Sequence, residues 1–279
     1  MNLIPQRRRW LLAVALSCVL GTSCADLKAV HEWSQTSLQA AQYNELITTY
    51  SSTPQRLLRY DPGQSELYNT QLDLRKRQAE ALKQMLSVVS DYMAALATLS
   101  ADSTIDYSKN VDTLTKSIGT LNAGISQTTL NATGSLVKTM LGAVAEAYQA
   151  KQVANIVGQA NDPLQTILKG ELRDIVDNDF RRDLKIEQTF IDIYYDNLRK
   201  SSEDIAAKDG VNEWKEFRME QNAKQLKTVD AYLKILDKIA EGHQKLFDNR
   251  DKLDSKALIT ELFSLTMKIR DQIKVLEAS

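Results

Sequence analysis

Cysteine and histidine are almost missing from this chain of 279 residues, which has only Cys18, Cys24, His31 and His243. Both cysteines fall within the first 24 residues, so the rest of the chain forms no disulfide and is held by its core alone. Neither histidine sits in an HExxH or ExxH spacing, which excludes a zinc-protease helix and a ferritin-like di-iron site. A phosphate loop is missing too. Gly119-Thr120-Leu121-Asn122-Ala123-Gly124 has the glycine spacing, but Ile125 stands where the phosphate-reaching lysine belongs, and the flanks read as helix. Neither charge is in excess, with 35 Lys plus Arg against 36 Asp plus Glu and a pI of about 6.2. Nucleic-acid-binding domains show basic patches and a pI above about 9, so nucleic acid is not expected as a partner. After residue 24 no apolar run approaches the ~20 residues of a membrane-spanning helix. No segment alternates at period two for long enough to form a strand.

What is present begins with an address. Arg7, Arg8 and Arg9 precede the 11-residue apolar run Trp10 to Leu20, followed by Gly21, Thr22, Ser23 and then Cys24. That is the layout of an export signal, too short to be retained as a spanning helix. With small residues directly before the cysteine, the segment resembles a bacterial lipoprotein precursor. The resemblance covers about the first 25 residues and implies cleavage after Ser23 and a lipid on Cys24. It departs from the usual lipobox in placing Leu20 four residues before the cysteine, with Gly21 at the third. Gly21-Thr22-Ser23 also suits ordinary signal peptidase, which would leave a secreted chain without lipid, and Arg7-Arg8-Arg9-Trp10-Leu11 echoes a twin-arginine signal. Cys18, after Ser17 and a shorter apolar run, fits less well. Residues 1–23 are thus expected to be a signal peptide and residues 24–279 the mature domain, with 32 Lys plus Arg against 36 Asp plus Glu.

Apolar spacing in that domain is helical almost throughout, which predicts an all-α, elongated antiparallel bundle with long coiled-coil-like helices. Its three prolines each follow a capping residue, in Thr53-Pro54, Asp61-Pro62 and Asp162-Pro163, and so mark helix starts. The pattern predicts helices near 26–51, 54–60, 62–101, 108–124, 130–160, 162–205, 212–247 and 256–277. The clearest seam runs Met219, Asn222, Leu226, Val229, Leu233, Leu236, Ala240, His243 and Phe247, and a second runs Ile259, Leu262, Thr266, Ile269, Ile273 and Leu276. Joined by the polar stretch 248–255, the two read as an antiparallel helical hairpin.

No convergent chemical site emerges. His243 lies on the seam and reads as a packed or partly exposed core histidine rather than a ligand or base. Asp174, Asp177 and Asp179 lack the glycine of a calcium loop and read, with Arg181, Arg182 and Asp183, as a solvated helix face. No cofactor and no metal are implied. The stretch 102–135 differs from the rest: it is rich in Ser, Thr, Asn and Gly, yet Leu114, Ile118, Leu121 and Ile125 keep an apolar stripe. It reads as a polar helix-turn segment at one bundle end, with that stripe as a candidate partner-contact face. The favoured function is a non-enzymatic interaction or scaffold module of the bacterial envelope, bound to the membrane through the Cys24 lipid and to a protein partner. A membrane-active, pore-forming-like protein using residues 105–157 is the alternative, and an enzyme built on scattered polar groups is the third.

Overall fold

A computed structural model describes residues 27–43, 45–101, 125–142 and 149–278. Among them the chain is helical and without strands: α1 (Lys28–Ala41), α2 (Glu45–Ser51), α3 (Thr53–Tyr60), a 3-10 turn (Pro62–Gln64), α4 (Ser65–Leu99), α5 (Gln127–Gly142) and α6 (Gln149–Lys169). Next come α7 (Glu171–Asp174), a π turn (Ile175–Phe180), α8 (Arg181–Ser201), α9 (Ile205–Asp248) and α10 (Lys256–Glu277). The expected all-α antiparallel bundle is what forms.

Local chemistry accounts for several ends. The Asp204 carboxylate accepts from the N–H groups of Ala206 and Ala207 at 2.7 and 3.3 Å, so α9 begins at Ile205 rather than near 212. Ser255 caps α10 by accepting from the Leu258 N–H, and that helix starts at 256 as its spacing predicts. Pro54 lies in the first turn of α3 and Pro62 opens the 3-10 turn.

Pro163 behaves differently, because it lies inside α6. A mid-helix proline forfeits a backbone bond and crowds the preceding turn. Here the helix persists because Val153, Ile156, Val157, Ala160, Leu164, Ile167 and Leu168 form one buried stripe across the proline. The real break comes at Gly170, where a Cβ would lie 2.5 Å from the Thr166 carbonyl oxygen, so only glycine fits the turn. The single helix expected over 162–205 is therefore divided at Gly170 and widened at the π turn. The helix expected over 26–51 is also two, since the backbone leaves the helix at Gln42 and Tyr43.

Cross-helix bonds set the register. α6 through α8 runs antiparallel to α9, as shown by Asn161 to Gln244, Gln165 to the Ala240 carbonyl, Arg173 to Asp237, Arg181 to Asp230, and Asn222 to the Leu184 carbonyl. α1 and α2 run antiparallel to α4, with His31 on the Ala97 carbonyl and Tyr50 on Gln78. α10 folds back on α9, where Lys245 pairs with Glu261, and lies beside α1, where Tyr43 donates to the Leu276 carbonyl. One contiguous apolar core joins these helices around Trp33, Tyr50, Leu82, Tyr92, Phe180, Tyr232 and Leu236.

Candidate functional site

Three arrangements stand out, two of them buried. In the first, His243 is wholly buried on α9 between Tyr92 of α4 and Asn161 of α6. The Asn161 amide nitrogen donates to Gln244 at 3.1 Å, which leaves its oxygen, 3.0 Å from His243 Nδ1, as the acceptor. Nδ1 therefore carries the imidazole proton, and Nε2 accepts from the Tyr92 hydroxyl at 2.6 Å. A neutral ring satisfies every partner, and burial lowers its pKa from 6.5 to about 3. With no path to solvent this group joins three helices and meets no substrate, as the seam position suggested.

The second arrangement surrounds the π turn. Arg75 of α4, nearly buried, donates from Nε to Asp183 at 2.8 Å and from Nη1 to the Gln78 side-chain oxygen at 2.6 Å. Gln78 donates in turn to Asp179 at 3.0 Å, and the Tyr50 hydroxyl donates to Gln78 at 2.7 Å. The guanidinium lies over the Tyr50 ring, 5.2 Å from its centroid, and burial pushes the Tyr50 hydroxyl well above its ordinary pKa. Nearby, Arg56 of α3 forks onto Glu187 at 2.9 and 3.0 Å and reaches the Thr49 carbonyl. The reading of this acidic stretch as a solvated face holds only for Asp174 and Asp177; Asp183 is buried and Asp179 turns inward. The added residue of a π turn rotates the downstream helix relative to an unbroken α-helix, so carboxylates and apolar side chains can share the inner side. Arg75 is paired with Asp179 and Asp183, and Arg56 with Glu187.

The third arrangement is a surface. No residue from 192 to 221 is buried, so the outer ends of α8 and α9 leave the bundle as a two-helix arm. It reaches about 25 Å beyond Asn222 at 1.5 Å per residue. Lys215 of α9 bridges Asp192 and Asp196 of α8, and this ammonium holds the Asp196 carboxyl below the usual carboxylate range. Trp214 and Phe217 meet edge to face at 5.9 Å with Arg218 over both rings. Where α3 buttresses the arm, Tyr60, Tyr194 and Tyr195 cluster beside a groove of 570 Å³ walled by Phe190, Ile193 and Leu198. Of the twelve large hydrophobic side chains exposed among the described residues, seven (Ile186, Ile193, Tyr194, Leu198, Ile205, Trp214 and Phe217) lie on α8 and the outer half of α9, so apolar exposure is concentrated there.

Of the residues singled out in the sequence, Cys24, Leu114, Ile118 and Leu121 lie outside the described residues. Ile125 is half-buried against the core, and the Ser126 N–H donates to the Glu171 carboxylate midway along the bundle. Residues 127–135 belong to α5, where Thr129, Ala132 and Thr133 are buried, so this part of the polar segment packs as ordinary helix. Neither the Arg75 network nor the arm was visible as a site in the sequence; the clustered aromatics Tyr194, Tyr195, Trp214 and Phe217 were its only signal. Among the described residues no group of three or more His, Cys, Asp or Glu could hold a metal, and no helix is long and apolar enough to cross a membrane. No protein-family model matches the chain, and no curated protein or solved structure resembles it significantly.

Proposed function

We propose that the chain is a non-enzymatic adaptor of the bacterial envelope, held to a membrane by a lipid on Cys24 and presenting its two-helix arm to a protein partner. The observation that carries this reading is the concentration of exposed aromatic and aliphatic side chains on the arm. Aromatic residues flanked by arginine are what protein interfaces bury at their centres. The arrangement of the ends supports it. Lys28 and Ala29 share a groove with Ile259 and Phe263, and Lys245 pairs with Glu261, so the start of α1 sits at the C-terminal end of α9. The arm tip at Ile205 is the other end of the same 44-residue helix, about 60 Å away. A tether at one end and an apolar tip at the other suit a spacer that reaches a partner away from its membrane.

The test is site-specific photocrosslinking in native membranes from Leu198 and Trp214, with Leu67 on α4 as an exposed reference. One discrete adduct from both arm positions and none from Leu67 is expected. Equal labelling from all three would remove the arm as the contact face. Dye leakage from vesicles on addition of the protein would favour the membrane-active alternative instead.

A further inference from the structure

A groove of 370 Å³ lies at the tethered end, between the first turn of α1 and the first turns of α10. Ala29, Ile259 and Phe263 wall it, with Lys28 and Glu32 beside them. Phe263 is 57 % exposed and Met267, one turn further along α10, is 40 % exposed, so an apolar strip continues out of the groove. Apolar surface of this kind gains about 25 cal/mol per Å² when it leaves water.

Position identifies what covers it. Leu27 is buried immediately before α1, two residues from Ala29 in the groove wall. Two residues, Ala25 and Asp26, separate Leu27 from Cys24, so the three Cα steps between them reach about 10 Å when extended. That is no more than about one helix diameter. We infer that this groove is a membrane seat: Ala29, Ile259, Phe263 and Met267 rest on the acyl boundary of the bilayer that holds the anchor, and the arm points away from it. The inference depends on the lipid at Cys24. Lys28 and Glu32 bring one charge of each sign to the groove, so an apolar contact that does not select anionic lipid is expected.

The experiment uses the full chain, expressed with its export segment and reconstituted into phosphatidylethanolamine–phosphatidylglycerol vesicles. A bimane label is placed at F263C, or at W214C on the arm, and doxyl-labelled lipids serve as quenchers. Both side chains are largely exposed, so neither substitution disturbs the core. The expected result is a blue-shifted label at 263 that loses intensity several-fold with doxyl lipid, no loss at 214, and the same outcome in pure phosphatidylcholine. A chain that stays with the vesicles and carries acyl mass, yet is as unquenched at 263 as at 214, overturns the seat and leaves the anchor standing. A chain without acyl mass that leaves the vesicles overturns both. Shielding of 263 in detergent together with a doubled mass by light scattering would assign the groove to a second copy and overturn the seat as well.

Discussion

Gly242 offers the sharpest check on the packing, because one substitution made at two places in one helix should change stability in opposite directions. Replacing glycine by alanine inside a helix ordinarily gains about 0.8–1.0 kcal/mol. Gly210→Ala should show that gain, since a Cβ there meets nothing within 4 Å. At Gly242 the new methyl would lie 2.5 and 2.7 Å from Cε2 and Cζ2 of Trp33, and closer still to Nε1. The indole is wholly buried and rigid, so it cannot swing aside. Overpacking of this kind costs about 1–3 kcal/mol, and the three ring contacts place this site at the upper end. The net loss for Gly242→Ala is therefore about 2 kcal/mol, a fall of about 4–8 °C in Tm for a domain of this size. Urea denaturation followed by circular dichroism at 222 nm measures both variants, and the double variant Trp33→Leu/Gly242→Ala should lose less than the sum of its parts by at least about 0.5 kcal/mol. If Gly242→Ala were stabilising to the same degree as Gly210→Ala, Trp33 would not be seated on α9 and the α1–α9 crossing would be wrong.

His243→Leu strips partners from the Tyr92 hydroxyl and the Asn161 oxygen and should cost about 2–4 kcal/mol at pH 7. Because the native imidazole refuses a proton that the unfolded chain accepts, wild-type stability falls as pH drops from 6.5 toward 3; the variant lacks that loss, so denaturation at pH 7, 5 and 4 should show the gap narrowing, and a constant gap would refute the neutral-ring assignment. Asp91 has the opposite sign. Burial holds its carboxyl up to about 6 against an ordinary 3.8, so ionising it destabilises the fold as pH rises from 4 to 6. Asp91→Asn should therefore gain up to about 3 kcal/mol at pH 7 and almost nothing at pH 4, and equal effects at both would contradict it. Arg75→Met leaves the buried Asp183 with only the exposed Arg182 at 3.9 Å and should cost about 3 kcal/mol, of which Arg75→Met/Asp183→Leu recovers a large part; thermal melts of the two variants decide it.

What the sequence determined by itself is what neighbouring residues decide. The helical class, the start of α10 at 256 and the seam through Val229, Leu233, Leu236, Ala240 and His243 come from periodicity and capping within a few residues, and the burial of that seam bears them out. Breaks were less legible. Val30, Trp33, Ser37 and Ala40 continue in step through Ile47, so spacing gives no sign of the turn at Gln42, and the proline at 163 looks like a helix start until its buried stripe is seen to run through it. Tertiary structure alone decided the rest. Arg75 and Asp183 stand 108 residues apart and meet only because α4 and α8 are antiparallel in one register. Ile193, Leu198, Trp214 and Phe217 have the same chemistry as the core residues of α9, and periodicity shows which side of a helix is apolar without showing whether another helix covers it. From 192 to 221 no residue is buried, even where the α3 residue Tyr60 packs against Tyr194 and Tyr195, and so an apolar face that reads as core becomes the surface of the arm.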